Sequence, residues 1–304
     1  MPLHIAPISR RDFLIRGTAA LTSLTLLPTA WAAEAADPNR LALLSDTHIP
    51  DRADVEARGV NMTANLKKVV AQLCALEQKP AGVIINGDCA YLKGLPQDYA
   101  NFADCVAPLA AAGLPLHVTM GNHDDREPLY GAMAAQRPDN PPVQSKHVSV
   151  LETPHANLFL LDSQFQVNVV TGELGDAQRN WLAQTLDAHS DKPAIVVAHH
   201  NLQFQAPPEG TAWGGIRDTD AFFELLKARP HVKAYIFGHS HNWSLSQRDG
   251  IHLINLPPVA YVFAEDKPNG WVDARLHPDA IELKLNTFDP QHPQSGEHVR
   301  LAWR

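Results

Sequence analysis

Thiols are scarce in this chain: Cys74, Cys89 and Cys105 are the whole supply among 304 residues. Three is an odd number, so no disulfide framework can use all of them. Cys74 and Cys105 fall in helix-like stretches where a small apolar side chain packs well, and no essential disulfide is expected. Basic charge is also in deficit, with 25 Lys and Arg against 33 Asp and Glu and a formal net charge of −8. That balance argues against a general binder of nucleic-acid polymers or acidic membranes, which needs a cationic face to displace counterions. Hydrophobic residues at 45% and charged residues at 19% are ordinary for a globular chain, and exclude a disordered or collagen-like one. Against these shortages stand 16 histidines. Metal chemistry here must rest on imidazole and carboxylate, not on thiolate.

The first residues read as an address. Arg10-Arg11 stand just ahead of an uncharged run from Gly17 to Ala33, moderately apolar and interrupted by Thr, Ser and Pro28. The run is shorter than the roughly 20 apolar residues a spanning helix needs, and Ala30-Trp31-Ala32 has the small-x-small pattern of a cleavage site. The stretch resembles a bacterial twin-arginine export signal; the alternative is an amphipathic helix with a chance arginine pair. The resemblance implies a removable signal over residues 1–32, engagement of the twin-arginine export machinery, a periplasmic destination and no stable membrane insertion after removal. Such substrates cross already folded, which suits a protein that takes its metal from the cytoplasm. Removal deletes Arg10, Arg11, Arg16 and Asp12, a net +2, and leaves the rest near −10.

Residues 33–304 read as one continuous domain, since no low-complexity linker or internal repeat divides them. Strand-like runs at Leu41–Ser45, Val83–Asn86, Leu116–Met120, Asn157–Asp162, Ile195–Ala198 and Ala234–Phe237 alternate with helical patterns. The helical patterns are Thr63–Glu77, Gln97–Ala112, Asp176–His189 and Asp218–Ala228. Strand and helix in alternation predict an α/β sheet system with both faces covered. After Phe237 the runs His252–Leu256, Trp271–Leu276 and Ile281–Asn286, with turn signals between them, predict an antiparallel meander.

The chemistry sits where strands stop. The first strand runs into Asp46-Thr47-His48, the second into Gly87-Asp88, and the third into Gly121-Asn122-His123-Asp124. Later strands run into His199-His200 and Gly238-His239-Ser240-His241. Open α/β sheets place ligand sites at such carboxyl ends. Glycine before Asp88, Asn122 and His239 fits a sharp exit. In Asp-x-His and His-x-His, an extended segment would point both side chains to one side. Carboxylate with imidazole suits Mn, Fe or Zn in a catalytic site. Singly each motif is weak, because a lone Gly-Asp or Gly-His-x-His is more often a surface turn; the ordered set of five is specific.

That ordered set, from about residue 40 to 260, resembles the calcineurin-like metallophosphoesterase superfamily, whose fold is a four-layer α/β/β/α sandwich. Matched position by position, the resemblance implies one metal on Asp46, His48 and His241. A second would bind Asn122, His199 and His239, with Asp88 bridging the pair. His123 matches a non-ligand general acid, and Asp124 is expected to orient it through the second ring nitrogen. Arg126 either touches the substrate phosphate or begins a helix, and His200 either lines the pocket or is structural. Within the superfamily, Gly121-Asn122-His123-Asp124-Asp125-Arg126, Gly87-Asp88 with Gly94 and Tyr99, and Gly172-Glu173-Leu174 with Gln178 and Trp181-Leu182 resemble the cyclic-nucleotide and glycerophosphodiester phosphodiesterases. Asp88-Cys89-Ala90-Tyr91 instead has the Gly-Asp-x-x-Tyr spacing of purple acid phosphatases. That group lacks the first-motif histidine, so Tyr91 is expected to pack or line the rim.

The function so implied is hydrolysis of a small phosphoester by attack of a hydroxide bridging two divalent metal ions. A phosphomonoesterase, or a non-catalytic metal- or phosphate-binding protein on the same scaffold, is the alternative; a degenerate binder is expected to lose His123 or a ligand. His117 reads as a core histidine, and His155, His189, His231 and His252 have no partner at ligand spacing. The loop aromatics Phe204, Trp213 and Tyr261 either cover part of a substrate or pack a lid.

Overall fold

In the computed structural model, residues 36–304 are described, and the export signal expected over residues 1–32 lies outside them. The first half of the chain runs β1 (Asp37–Leu44), β2 (Glu56–Ala57), β3 (Val60–Asn61), α1 (Met62–Ala75), β4 (Pro80–Asn86), α2 (Pro96–Ala111), β5 (Leu116–Thr119) and α3 (Arg126–Ala132). It continues with β6 (Ser149–Glu152), β7 (Asn157–Leu160), α4 (Gly175–Ala188), β8 (Ala194–Val197), α5 (Thr219–Lys227) and β9 (Val232–Phe237). The chain ends in β10 (Ser244–Arg248), β11 (Ile251–Asn255), β12 (Gly270–Leu276), β13 (Ala280–Thr287) and β14 (His298–Ala302). Helix starts follow local chemistry: the Asn61 side chain accepts from Ala64 N at 2.8 Å ahead of α1, and Pro96 opens α2, where its missing N–H costs nothing.

Strand alternation divides the core into three apolar layers. Leu41, Leu43 and Ile84 of β1 and β4 pack with Leu158, Leu160, Ile195, Val197, Ala234 and Ile236 of β7, β8 and β9. Their neighbours Ala42, Leu44, Val83 and Ile85 face the other way, onto α1 and α2. Likewise Phe159, Val196 and Tyr235 turn to Leu182 and Leu186 of α4 and Phe222 and Leu226 of α5. Helix, sheet, sheet, helix is the four-layer order, and strands buried on both faces explain the unbroken apolar runs.

One sheet has the order β14-β13-β12-β1-β4-β5 and the other β10-β11-β9-β8-β7-β6. The C-terminal strands are not one meander. β11 lies parallel to β9 and antiparallel to β10, whereas β12 crosses to the first sheet, antiparallel to β1 and to β13. Alternation states which face a residue takes, not which sheet its strand joins. β1, β4 and β5 are parallel neighbours, as are β7, β8 and β9, so their carboxyl ends open on one rim. All three cysteines are free thiols. Among the described residues no helix is long and apolar enough to cross a membrane.

Candidate metal centre

Five loops meet at that rim, each continuing a buried strand. The loops after β1 and β4 are laced together, Asp46 N donating to Gly87 O at 3.1 Å and His48 N to Asp88 O at 2.9 Å. The second sheet is tied in by His199 Nδ1 to Asn86 O at 2.8 Å and by His239 N, which donates to Asp46 Oδ2 at 3.1 Å. Close approach explains two of the glycines: a Cβ on Gly121 would collide with the Asp88 side chain, and one on Gly238 with Ser45. Only Gly87 of the three supplies positive φ, at 73°.

The ligand pairs do not use extended backbone. Asp46, His48, Asp88, His239 and His241 have φ of 52°, 46°, 49°, 66° and 50°. Left-handed residues alternating with ordinary ones bring both members of each pair into the cleft. For non-glycine residues this costs about 1–2 kcal/mol each, and strain of that kind concentrates at functional sites.

The side chains form three overlapping groups: Asp46, His48 and His241; His48, Asp88 and His123; and Asp88, His199 and His239. His48 Nε2, common to the first two, lies 3.0 Å from His241 Nε2, 3.9 Å from Asp46 Oδ1 and 3.6 Å from Asp88 Oδ2. His241 Nε2 is 3.4 Å from Asp46 Oδ1. In the third, His199 Nε2 lies 3.3 Å from Asp88 Oδ2, with His239 in the same group. Ligands about 2.1 Å from a common ion stand about 3.0–3.4 Å apart, close to these separations. Asp46 Oδ1, Asn122 Oδ1 and His199 Nε2 are buried with no hydrogen-bond partner, an arrangement that costs free energy unless a cation meets them. The residues fit a divalent metal with imidazole and oxygen donors.

Carbonyl oxygens set the imidazoles, because a carbonyl only accepts and the facing ring nitrogen must donate. His199 Nδ1 faces Asn86 O, His241 Nδ1 faces Tyr261 O at 2.5 Å, and His239 Nε2 faces Gly214 O at 3.0 Å. With a metal bound, the opposite nitrogen of each ring would serve as the lone-pair donor. Burial opposes charge on Asp46 and Asp88, yet His199 and its neighbouring imidazoles hold both carboxylates below the usual range. Burial pushes His48 down to about 3 and His239 to about 4, so both rings are neutral and can ligate near pH 7. His199 goes the other way: burial lowers it, but Asp88 and Asp46 more than reverse this and raise it to about 10.

His123 lines the cleft beside His48 and Asp88. Its main-chain N donates to Asp88 Oδ1 at 2.9 Å, and its Nδ1 donates to Leu92 O at 2.7 Å. Asp124 therefore does not orient His123. It is fully buried and accepts from Cys89 N, Ala90 N, Gly121 N and the Tyr99 hydroxyl, a clamp between the loops carrying Asp88 and Asn122. Burial and the nearby Asp88 raise its pKa to about 6.

Arg126 begins α3, and both donors on its outer edge go to Asp162 at 2.7 Å, so it is committed to an ion pair and not to substrate. His200 is fully buried behind His199 and His239, with Nδ1 2.8 Å from Ser163 Oγ; it does not line the cleft. Tyr91 stands edge-on to His48, ring centres 6.4 Å apart. His155, His189, His231 and His252 each turn a ring nitrogen to a main-chain carbonyl. Of the loop aromatics, Tyr261 lines the cleft, while Phe204 packs on Phe223 under Arg248.

Residues 39–243 match the family model for calcineurin-like phosphoesterases. The chain belongs to that family. A phosphoesterase from Pseudomonas aeruginosa, the 3′,5′-cyclic adenosine monophosphate phosphodiesterase CpdA, is 28% identical over 81% of this chain and 85% of its own length. CpdA of Escherichia coli is 26% identical over 91% of this chain and its whole length. A dimetal phosphatase from Danio rerio superposes with a TM-score of 0.66 at 17% identity, covering 88% of this chain and all of its own. Yellow lupin purple acid phosphatase gives 0.58 at 15%, covering 87% and 54%; these two likenesses show the fold. The protein is a metal-dependent phosphoric ester hydrolase. Its cleft, about 320 Å³, is also lined by Asn168, Val170 and Phe263, which sequence reading missed. These stand on loops without periodic signal; only the aromatic at Phe263, two residues after Tyr261, could have marked that wall.

Proposed function

We propose that the protein is an exported, dinuclear-metal phosphodiesterase acting on a small phosphodiester of the cyclic-nucleotide or glycerophosphodiester type. The observation that carries this reading is a set of overlapping donor groups linked through His48 and Asp88, with Asp46, His48 and His241 at one end, Asp88, His199 and His239 at the other, and His123 within reach of His48 and Asp88 between them. Asp46, His48, His241 and Asp88 would hold one ion, and Asp88, Asn122, His199 and His239 the other, from the group Mn, Fe or Zn. When bound, such ions neutralise charge on phosphoryl oxygens and lower the pKa of an attacking water.

The chain's own residues supply the rest. Leu92 O fixes the His123 ring through Nδ1, which leaves Nε2 of the doubly protonated ring to hand a proton to the departing oxygen. Asp88 Oδ1, by accepting from His123 N, holds that histidine in register with the bridging carboxylate. The diester preference is supported by the relatives named as cyclic-AMP phosphodiesterases and by His48 at the first motif. Export is supported by Arg10-Arg11 and the weak apolar run that follows. An exported enzyme is poorly placed to control a cytoplasmic messenger, which favours nutrient scavenging or envelope turnover as its work. The test is a panel of phosphomonoesters and phosphodiesters with metal-reconstituted protein. Turnover of diesters is expected; turnover of monoesters alone would move the protein to the purple-acid-phosphatase type of activity, and no turnover of either would make it a binder.

A further inference from the structure

A positive charge that the hydrolytic site does not use stands against two aromatic rings of the cleft lining. Arg58 sits at the tip of the β2–β3 hairpin, where Ala57 pairs with Val60 across a two-residue turn. Arg58 has φ of 51° and Gly59 of 75°. Such turns favour Asn-Gly or Asp-Gly because both central residues are left-handed, so an arginine is held there against its backbone preference. Its guanidinium carbon stands 5.8 Å from the centre of the Tyr261 ring and 5.1 Å from that of Phe263. Among the described residues it has no ion pair, whereas Arg52 of the same loop pairs with Asp54 at 3.1 Å.

The two rings are fixed to the metal ligands. Tyr261 lies nearly parallel to His48, with centroids 5.4 Å apart at 19°, and Phe263 to His241, 4.2 Å apart at 20°. Their loop is tied to the first ligand loop by Val259 N to Ser45 O at 2.8 Å and Ala260 N to Asp46 O at 3.0 Å. Val170, 42% exposed, lines the same cleft. The lining therefore includes two aromatic rings that carry a cation, and an exposed apolar side chain.

We propose that Arg58, Tyr261 and Phe263 form a nucleobase subsite, so that the substrate is a nucleoside phosphodiester. This deepens the phosphodiesterase reading and rests on it. With the phosphate on the cleft floor, the remainder of the substrate meets a guanidinium whose inner face rests on the rings and whose outer face is exposed. Planar guanidinium stacks on flat π systems and donates to their ring acceptors. A nucleobase offers both features. A glycerol offers no plane, and a choline head group brings a like charge.

The experiment is calorimetric titration of the metal-loaded protein with adenosine 5′-monophosphate and with ribose 5-phosphate, which share a phosphate and differ in the base. The key variant is Arg58→Asn, which suits the left-handed turn better than arginine and removes only the cation; Phe263→Ala is its companion. The wild-type protein is expected to bind the nucleotide more tightly than ribose 5-phosphate. Arg58→Asn is expected to weaken the nucleotide about tenfold and ribose 5-phosphate less than twofold. Equal weakening of both ligands would assign Arg58 to the phosphate, and an unchanged nucleotide affinity would remove it from binding; either overturns the subsite. Selective loss in a protein that cleaves no diester would overturn the phosphodiesterase reading and leave the subsite standing.

Discussion

Replacing Asp124 separates two accounts of the centre, one in which it drives His123 and one in which it braces the loops. The carboxylate accepts from Cys89 N at 3.2 Å, Ala90 N at 3.0 Å, Gly121 N at 2.9 Å and the Tyr99 hydroxyl at 3.0 Å. Asp124→Ala strands four donors in a fully buried place, at about 1–3 kcal/mol each, so even the low end is about 4 kcal/mol. Against a typical folding stability of about 5–15 kcal/mol, that variant is barely folded. Asp124→Asn is the cleaner probe, since an amide keeps one acceptor oxygen but turns an NH₂ toward two of the donors. Its expected cost is about 2–4 kcal/mol, read from urea denaturation of the metal-loaded protein. Its folded fraction should keep the wild-type dependence of rate on leaving group, because the His123 Nδ1 proton is held by Leu92 O. Wild-type stability combined with a rate loss confined to poor leaving groups would show that Asp124 acts through His123 and refute this reasoning.

His123→Ala should retain metal and lose about 10²–10⁴-fold in rate for alkyl esters, with a much smaller loss for nitrophenyl esters; an equal loss across a leaving-group series would assign it to positioning. In the metal-free protein His199 is raised to about 10 by its carboxylates, against burial, so between pH 6 and 8 the ring carries a proton that a metal must displace. Metal affinity, followed by competition with a chromogenic chelator, should therefore rise about tenfold per pH unit in that window; a flat profile would contradict the ligand role of His199. Changing Arg10 and Arg11 together to Lys should leave the protein in the cytoplasm with its first residues uncleaved, and normal export would point to another route.

The sequence carried more of the site than of the fold around it. Asp46, His48, Asp88, Asn122, His199, His239 and His241 were legible because each ends or closely follows a strand whose buried faces leave an unbroken apolar run. The edge strands β6, β10 and β14 were not, since an edge is solvated and its residues, as in Ser-Leu-Ser-Gln-Arg, read as loop. The sheet to which β11 and β12 belong depends on pairing between distant segments, on which alternation is silent. Asp124 misled for a related reason: its neighbour in sequence is His123, but its partners lie in the β4 loop and on α2. The wall of Asn168, Val170 and Phe263 carries no periodic signal, and the only trace of Arg58 was an Arg-Gly turn.

Metal analysis and turnover, measured on one preparation folded in the cell, test whether a paired metal centre hydrolyses phosphodiesters here. The expected result is close to two transition ions per chain, loss of diester hydrolysis as a chelator removes them, and recovery when a divalent metal is returned. A preparation fully active with no bound metal would contradict the account.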